Sequence, residues 1–428
     1  MQDHPANNQV WSFVPPHILE SIAENGTPEE RQIALATLTA DRGIRIERLV
    51  AQTERRSSAT DEGAGSPHRQ RRVFTANNGT GLPGTSRRSE GEAATGDAAI
   101  DEAYEGLGGT FDLFWDVFGR NSIDGNGMDL LASVHYGSNY NNAFWNGARM
   151  VFGDGDGVIF NRFTIAPDVE GHELTHGVTG ATAALEYHDQ PGALNESISD
   201  CFGSMVKQRM KGQTSAQADW LIGQGLLAAG IHGVALRSMK APGTAYDDAK
   251  IGKDPQPDHM SRYVNTSSDN GGVHTNSGIP NKAFYLVAVG LGDNSWDRAG
   301  PIWYKTLTDS RITTSASFLS FATLTADNAN TLYGNGARDV VVGAWHEVGI
   351  DIGNVAAWNY NKKVLSTFTS IHSMNAWAYI QDIGWRKIET LTTDGVSNEF
   401  ALLTDAQTSG RKVHVYVDGS LIHQAYSV

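Results

Sequence analysis

Thiol chemistry is almost missing from this chain, which has one cysteine, Cys201, among 428 residues. A lone thiol forms no internal disulfide and builds no thiolate metal site, so stability and metal binding must come from other side chains. Cys201 lies on an apolar helical stripe and reads as a buried structural thiol. No block of five or six basic residues is present either. With 33 Lys and Arg against 48 Asp and Glu, the formal charge is −15, and nothing resembles the basic footprint that grips phosphate backbones, so nucleic acid is not an expected partner. No apolar run approaches the ~18 residues of a membrane span. The opening MQDHPANNQVWSF lacks a basic region followed by an apolar one. No Sec signal is therefore recognised, and the expectation is cytoplasmic synthesis, with non-classical secretion left open. No fixed-period repeat or long low-complexity tract is present.

What the chain does have is length enough for two or three domains at ~100–200 residues each. Thr27-Pro28-Glu29-Glu30 combines an N-cap, a proline at the first helical position and a glutamate three residues after the cap, so residues 14–54 read as a small helical unit. Residues 55–72 are polar, rich in Ser, Gly and Arg, and read as a linker open to proteases. From 73 to 170, short aromatic and β-branched runs separated by turns such as Asp154-Gly155-Asp156-Gly157 predict strands and long loops. After 170 the pattern becomes helical: Ile198, Cys201, Phe202, Met205 and Val206 recur at spacings of three and four, with similar stripes around 281–291 and 338–347. Residues 353–428 change again, with alternating Val413, Val415 and Val417, a turn at Asp418-Gly419 and a return at Leu421-Ile422. The division expected is 1–72, 73–170, 171–352 and 353–428, in an α+β architecture whose two main lobes enclose a cleft.

The chemistry centres on His172-Glu173-Leu174-Thr175-His176. On a helix, histidines at i and i+4 face the same way, a spacing suited to one Zn²⁺, and Glu173 beside them can deprotonate a metal-activated water. Catalytic zinc takes three protein ligands and keeps one position open. Asn195-Glu196-Ser197-Ile198-Ser199-Asp200 follows, where Glu196 can supply the third ligand and Asp200, four residues on, can reach a histidine's free ring nitrogen.

HELTHGVTG with GALNESISD resembles the thermolysin-like neutral zinc metalloproteases, the gluzincins, over about residues 80–350. The resemblance implies a two-lobed fold, β-rich then helical, and hydrolysis of polypeptide substrates. It implies that Tyr187 and, in DNGGVHTNSG, His274 donate to the tetrahedral oxyanion, with Asp269 orienting His274. Asn142 and Ala143, in NNAFW, resemble the strand edge that binds the substrate backbone. Arg237 resembles the arginine that clamps a peptide carbonyl, and Asn195 belongs to the motif around the third ligand. Phe160, Val169, Ile222 and Leu236 are implied to line the pocket for the residue after the scissile bond, favouring a large apolar side chain. One departure matters. The family holds a calcium pair with several acids, of which Asp168 and Asp219 are present, but the other positions read Lys207, Leu221 and Gln224. The double calcium site is expected to be absent.

Phe13-Val14-Pro15-Pro16-His17-Ile18-Leu19-Glu20 resembles the short propeptide of protealysin-type precursors in that family, implying that residues 1–72 are a removable intramolecular inhibitor. The tail beyond 353 lies outside the resemblance; it reads as a small β-rich appendage. Trp358, Trp377 and Trp385 read more readily as its core than as a binding face, and no ligand for it can be named. Two other readings use the same residues: a zinc-binding pseudoenzyme that holds peptides uncut, and an adhesion protein working through the tail.

Overall fold

The computed structural model describes residues 12–55, 67–352, 357–370, 375–381, 383–389, 393–418 and 421–428. Residues 1–11, most of the expected linker (56–66) and Gly419 of the expected tail turn lie outside the described residues. The chain forms two compact units, Met1–Ile350 and Asp351–Val428.

The first unit begins with helices α1 (Pro16–Asn25) and α2 (Pro28–Arg55). Thr27 N–H donates to Glu30 Oε2 at 2.8 Å and Glu30 N–H to Thr27 Oγ1 at 3.3 Å, the reciprocal cap that starts α2. A five-stranded sheet follows, from β1 (Arg71–Thr75), β2 (Thr85–Ser89), β3 (Leu130–Val134), β4 (Ala143–Trp145) and β5 (Met150–Phe152), in the order β2-β1-β3-β5-β4. The inner pairs β1–β3 and β3–β5 are parallel and the outer pairs antiparallel. The short strand β4 therefore forms an edge, with one row of main-chain groups outside the ladder.

Two expectations for this region need correcting. Arg71 and Arg72, read as the end of the linker, already belong to β1. The Arg71 guanidinium is buried over the Tyr104 ring at 3.7 Å and bonds Glu90 at 2.7 Å, so a strand position is filled by a charge that carries no apolar alternation. The region read as strands and loops also holds a 21-residue helix, α3 (Ala98–Phe118). Asp97 caps it by accepting from Ala99 and Ile100 N–H, and Ile100, Leu107, Phe111 and Phe114 form its buried stripe.

The rest of the unit is helical: α4 (Pro167–Gly180), α5 (Asp189–Lys211), α6 (Asp269–Asn276), α7 (Gly278–Leu291), α8 (Ala299–Leu307), α9 (Phe318–Tyr333) and α10 (Asn335–Glu347). Two small ribbons interrupt it, β6 (Leu221–Ile222) with β7 (Arg237–Ser238) and β8 (Asp247–Asp248) with β9 (Gly252–Lys253). The α5 stripe of Ile198, Cys201, Phe202, Met205 and Val206 is buried, and Phe202 stacks on Phe114 at 5.3 Å. Helices α4 and α5 run antiparallel and nearly touch. A Cβ at Gly171 would come within 2.8 Å of the Gly203 Cα, and one at Gly203 within 2.5 Å of the Asp168 carbonyl oxygen. Only glycine allows that approach, and the approach brings the two sequence motifs into contact.

The second unit is a closed barrel of β10 (Ala357–Thr369), β11 (Ala376–Ile380), β12 (Gly384–Ile388), β13 (Lys412–Asp418) and β14 (Leu421–Ser427), in the order β10-β11-β12-β14-β13. Its interior holds Ala378, Ile380, Ile388, Leu403, Val413, Val415, Val417 and Ile422. Leu403 comes from α11 (Thr393–Ser409), a helix that strand alternation did not anticipate; its signal was the spacing of Val396, Leu403 and Ala406. The tryptophan expectation is also corrected. The aliphatic side chains fill the interior, Trp385 is 44% exposed and Trp377 is half-buried, while the Trp358 side chain lies outside the description.

Candidate active site

His172 and His176 leave α4 one turn apart, and Glu196 leaves α5 opposite them. The two imidazole Nε2 atoms are 3.0 Å apart, and the Glu196 carboxylate oxygens lie 3.5 Å from His172 Nε2 and 3.4 Å from His176 Nε2. Two ligands about 2.1 Å from one zinc at a tetrahedral angle lie about 3.4 Å apart, so these residues fit the ion that the sequence implies. Ligand atoms of His172, Glu173 and His176 also fall within 4.8 Å of one another. Glu173, however, is held to the edge strand, its Oε2 accepting from Trp145 N–H at 2.9 Å. It therefore stands beside the focus while Glu196 meets both imidazoles.

The outer nitrogens of the histidines are fixed in turn. His172 Nδ1 is 2.8 Å from Asp200 Oδ1, and His176 Nδ1 is 2.8 Å from Asn195 Oδ1 and 3.0 Å from Ser199 Oγ. Such partners set the ring orientation and leave Nε2 available to a metal. Asp200 is the hub of a wider network, since its carboxylate also takes Arg237 Nε and Nη2, both at 2.8 Å, and Asn281 Nδ2 at 2.8 Å. Burial alone would raise the Asp200 carboxyl, but the Arg237 guanidinium and His172 hold it well below the usual carboxylate range. All of these groups are buried.

Across the site, Tyr187 Oη donates to Glu196 and lies 3.3 Å from His274 Nε2. Burial would lower the pKa of His274, but the Asp269 and Glu196 carboxylates outweigh it and push it up to about 9. The Asp269 contact depends on backbone. Asn270, Gly271 and Gly272 have φ of 51°, 85° and 76°, and this left-handed turn swings Asp269 back onto His274, meeting its N–H at 2.9 Å and Nδ1 at 2.6 Å. The glycines of DNGG are required by that turn.

The cleft also holds a segment of its own chain. Phe13 N–H donates to the Ala143 carbonyl of β4 at 3.1 Å, Arg237 Nη1 donates to the Phe13 carbonyl at 3.2 Å, and Val14 N–H donates to Asn142 Oδ1 at 2.9 Å. The Phe13 ring is fully buried, edge-on to His172 with centroids 5.2 Å apart. A Cβ at Gly223 would lie 3.2 Å from that ring and 3.4 Å from Leu236, so the β6–β7 turn walls the pocket. Ile222 pairs with Arg237 across that ribbon. Val169 lies one turn before His172, and Phe160 packs against Phe163 at 5.7 Å; both are fully buried.

Further contacts bind the N-terminal helices: Asn142 Nδ2 donates to Asp41 at 2.9 Å, Tyr140 Oη donates to the same carboxylate, and Lys250 pairs with Glu30 at 2.6 Å. Sequence reasoning missed Asp41, Ser199, Asn281 and the Trp145 N–H. Nothing in local spacing marks them, because each meets its partner only across the fold.

Below the site, Lys207 Nζ lies 3.1 Å from Asp168 Oδ2 and 2.9 Å from Asp219 Oδ1, and donates to the Leu221 carbonyl. Burial would lower its pKa, but the two carboxylates outweigh it and raise it. Gln224 is exposed.

Residues 49–180 match the thermolysin metallopeptidase catalytic domain and residues 183–350 its alpha-helical domain. The chain is 52% identical over 344 residues to an extracellular metalloprotease of Pectobacterium carotovorum subsp. carotovorum, an alignment covering 80% of this chain and 97% of that one. It is 47% identical over 348 residues to protease PrtS of Photorhabdus sp. (strain Az29), covering 81% and 94%. Among solved structures, the precursor of protealysin, a metalloproteinase from Serratia proteamaculans, superposes with a TM-score of 0.72 at 51% identity, covering 79% of this chain and 99% of that one. Among the described residues no helix is long and apolar enough to cross a membrane. The histidine pair with its facing glutamate, set between a β-rich and a helical lobe, thus has its explanation: the chain belongs to the thermolysin metallopeptidase family and is a zinc metalloendopeptidase.

Proposed function

We propose that this endopeptidase is made as a self-inhibited precursor and prefers a bulky apolar residue after the scissile bond. The observation that carries this reading is Phe13. Its N–H, carbonyl and ring engage Ala143, Arg237 and the pocket beside His172, as the residue after a scissile bond would. A protease whose own segment fills that pocket is closed to other chains until the segment leaves. In this reading residues 1–72 are the inhibitory segment and linker, 73–170 and 171–352 the catalytic lobes, and 353–428 an appended domain.

His172, His176 and Glu196 would hold zinc, oriented by Asp200 and Asn195. When bound, zinc supplies a Lewis acid and lowers the pKa of water toward neutrality. Glu173, anchored by Trp145, takes the proton and passes it to the leaving amine. Tyr187 and His274 donate to the developing oxyanion, with Asp269 keeping His274 aimed and charged. Asn142, Ala143 and Arg237 fix the substrate backbone, and Phe160, Val169, Ile222 and Leu236 shape the pocket. Lys207 substitutes for the double calcium site, its ammonium neutralising Asp168 and Asp219. Release from the cell completes the proposal, in keeping with the extracellular naming of the Pectobacterium relative.

The test is intact mass of wild type and Glu173→Ala incubated with zinc, beside cleavage of quenched peptides carrying Leu, Phe, Gly or Asp after the scissile bond. Wild type should lose about seventy N-terminal residues and cut the Leu and Phe peptides at least ~10-fold faster, and the variant should do neither. Full activity with the N-terminal segment still attached would refute self-inhibition.

A further inference from the structure

We propose that the C-terminal barrel is a binding module for a neutral polysaccharide, using an aromatic strip that crosses its first three strands. The topology comes first. Five strands close in the order β10-β11-β12-β14-β13, β12 and β14 are parallel, and a helix lies between the third and fourth strands. That is the arrangement of the small Greek-key barrels whose second and third strands carry oligonucleotides or oligosaccharides. Topology alone assigns no function.

The side chains carry the argument. Ala376, Ala378 and Ile380 of β11 point into the barrel, so Trp377 and Tyr379 point out. Phe368 of β10 pairs with Trp377, Trp377 with Lys387 of β12, and Tyr379 with Trp385. The strip thus runs over three strands, whose outer members lie about 10 Å apart at ordinary strand spacing. Phe368, Tyr379 and Trp385 are 50%, 38% and 44% exposed. The Tyr379 and Trp385 rings meet edge to face at 5.6 Å, and the Trp377 indole N–H is fixed by Asn375 Oδ1 at 2.9 Å. A small barrel with a complete aliphatic core has no packing reason to keep four aromatic rings on one outer face. Exposed rings held in place stack on the C–H faces of sugar rings, and Lys387 can donate to hydroxyls.

Charge decides between the two ligand classes such barrels carry. Residues 351–428 hold six Lys and Arg against seven Asp and Glu, in a chain of net charge −15. A polyanion would be repelled by such a chain, whereas an uncharged glycan is not.

The test uses the full chain carrying Glu173→Ala, which prevents self-digestion. It is run by affinity electrophoresis through soluble β-glucan and sedimented with cellulose and with chitin. Retention on at least one of these is expected, unchanged between about 50 and 500 mM salt, and weakened about tenfold by Trp385→Ala, the effect of one stacked ring. Trp385→Phe should keep most of the binding, which separates a lost ring from a misfolded barrel. Peptide cleavage by the Trp385→Ala chain with Glu173 intact should equal that of wild type. The proposal is overturned by no retention on all three polymers, by retention that Trp385→Ala leaves unchanged, or by salt-sensitive binding of an oligothymidylate in their place.

Discussion

The two units bury opposite kinds of side chain. Beneath the cleft, α4 and α5 bury His172, His176, Glu196, Asp200 and Lys207, and the β6–β7 ribbon adds Arg237, with each of these six side chains meeting a partner. The barrel buries alanine, valine, leucine and isoleucine and leaves Phe368, Tyr379 and Trp385 exposed. Burying charge in this way is costly unless the geometry is complete, and it yields groups held at fixed positions, ready to meet charge that develops in a reaction. The barrel's interior only holds the barrel together, so whatever it recognises must be met on its surface.

Asp200→Asn attacks the contrast where the effect should be largest. Removing one partner of a buried pair costs about 3–5 kcal/mol, here leaving Arg237 uncompensated and His172 facing a neutral amide in place of a carboxylate. Calorimetry should show the first unit melting roughly 5 °C lower, with cleavage down about 100-fold. An unchanged melting temperature would deny Asp200 its place at the hub of the buried network.

A second prediction concerns the apolar residue in the polar cleft. A peptide of residues 12–25 should inhibit the mature enzyme about 100-fold better than its Phe13→Ala version, since emptying a buried aromatic pocket costs about 3 kcal/mol. Equal inhibition would move the grip to Val14, His17 and Ser21, which meet Asn142, Tyr246 and the Lys250 carbonyl.

Lys207→Met should cost about 2 kcal/mol, less than a fully buried pair because Asp219 is partly exposed. Millimolar calcium should leave the wild-type melting temperature within about 1 °C of its original value. A calcium shift of several degrees would mean that the acids still bind the metal.

The smallest effect is in the barrel. Burial and Glu389 push the Glu399 carboxyl up from 4.5 to about 7, against the opposing pull of His423. The folded barrel therefore keeps this proton at pH values where the unfolded chain loses it. Stability contributed below pH 4.5 is lost as pH rises toward 7, and the loss is complete above that. Glu399→Gln should melt slightly higher than wild type at pH 8 and equally at pH 4; the reverse order would reject the assignment.

Much of the first unit was legible because its chemistry is written in short spacings. HExxH places two imidazoles on one helix face, and Glu196 and Asp200 sit four apart on the next, so both clusters survive as local patterns. Aspartate 41, Trp145 and Asn281 left no such trace, because their roles arise from an edge strand and from helices brought together by folding. Helix α3 was overlooked although its stripe is regular, since the turn-rich sequence around it was read as one strand region. In the barrel, alternating valines located β13, but no one-dimensional pattern tells an inward tryptophan from an outward one. Trp377 follows buried Ala376 and precedes buried Ala378, and only the register of β11 sends it outward.

Phe13 reaches its pocket on the same polypeptide that forms the pocket. In the proposed precursor, inhibition before any cut would be a unimolecular equilibrium governed by an effective concentration of order millimolar, and diluting the protein would not relieve it. Cutting between α2 and β1 turns the same contacts into a bimolecular complex, whose occupancy falls with volume. Cleavage alone would not switch the enzyme on in a crowded compartment; cleavage followed by escape into a larger volume would, so the point of dilution decides where proteolysis begins.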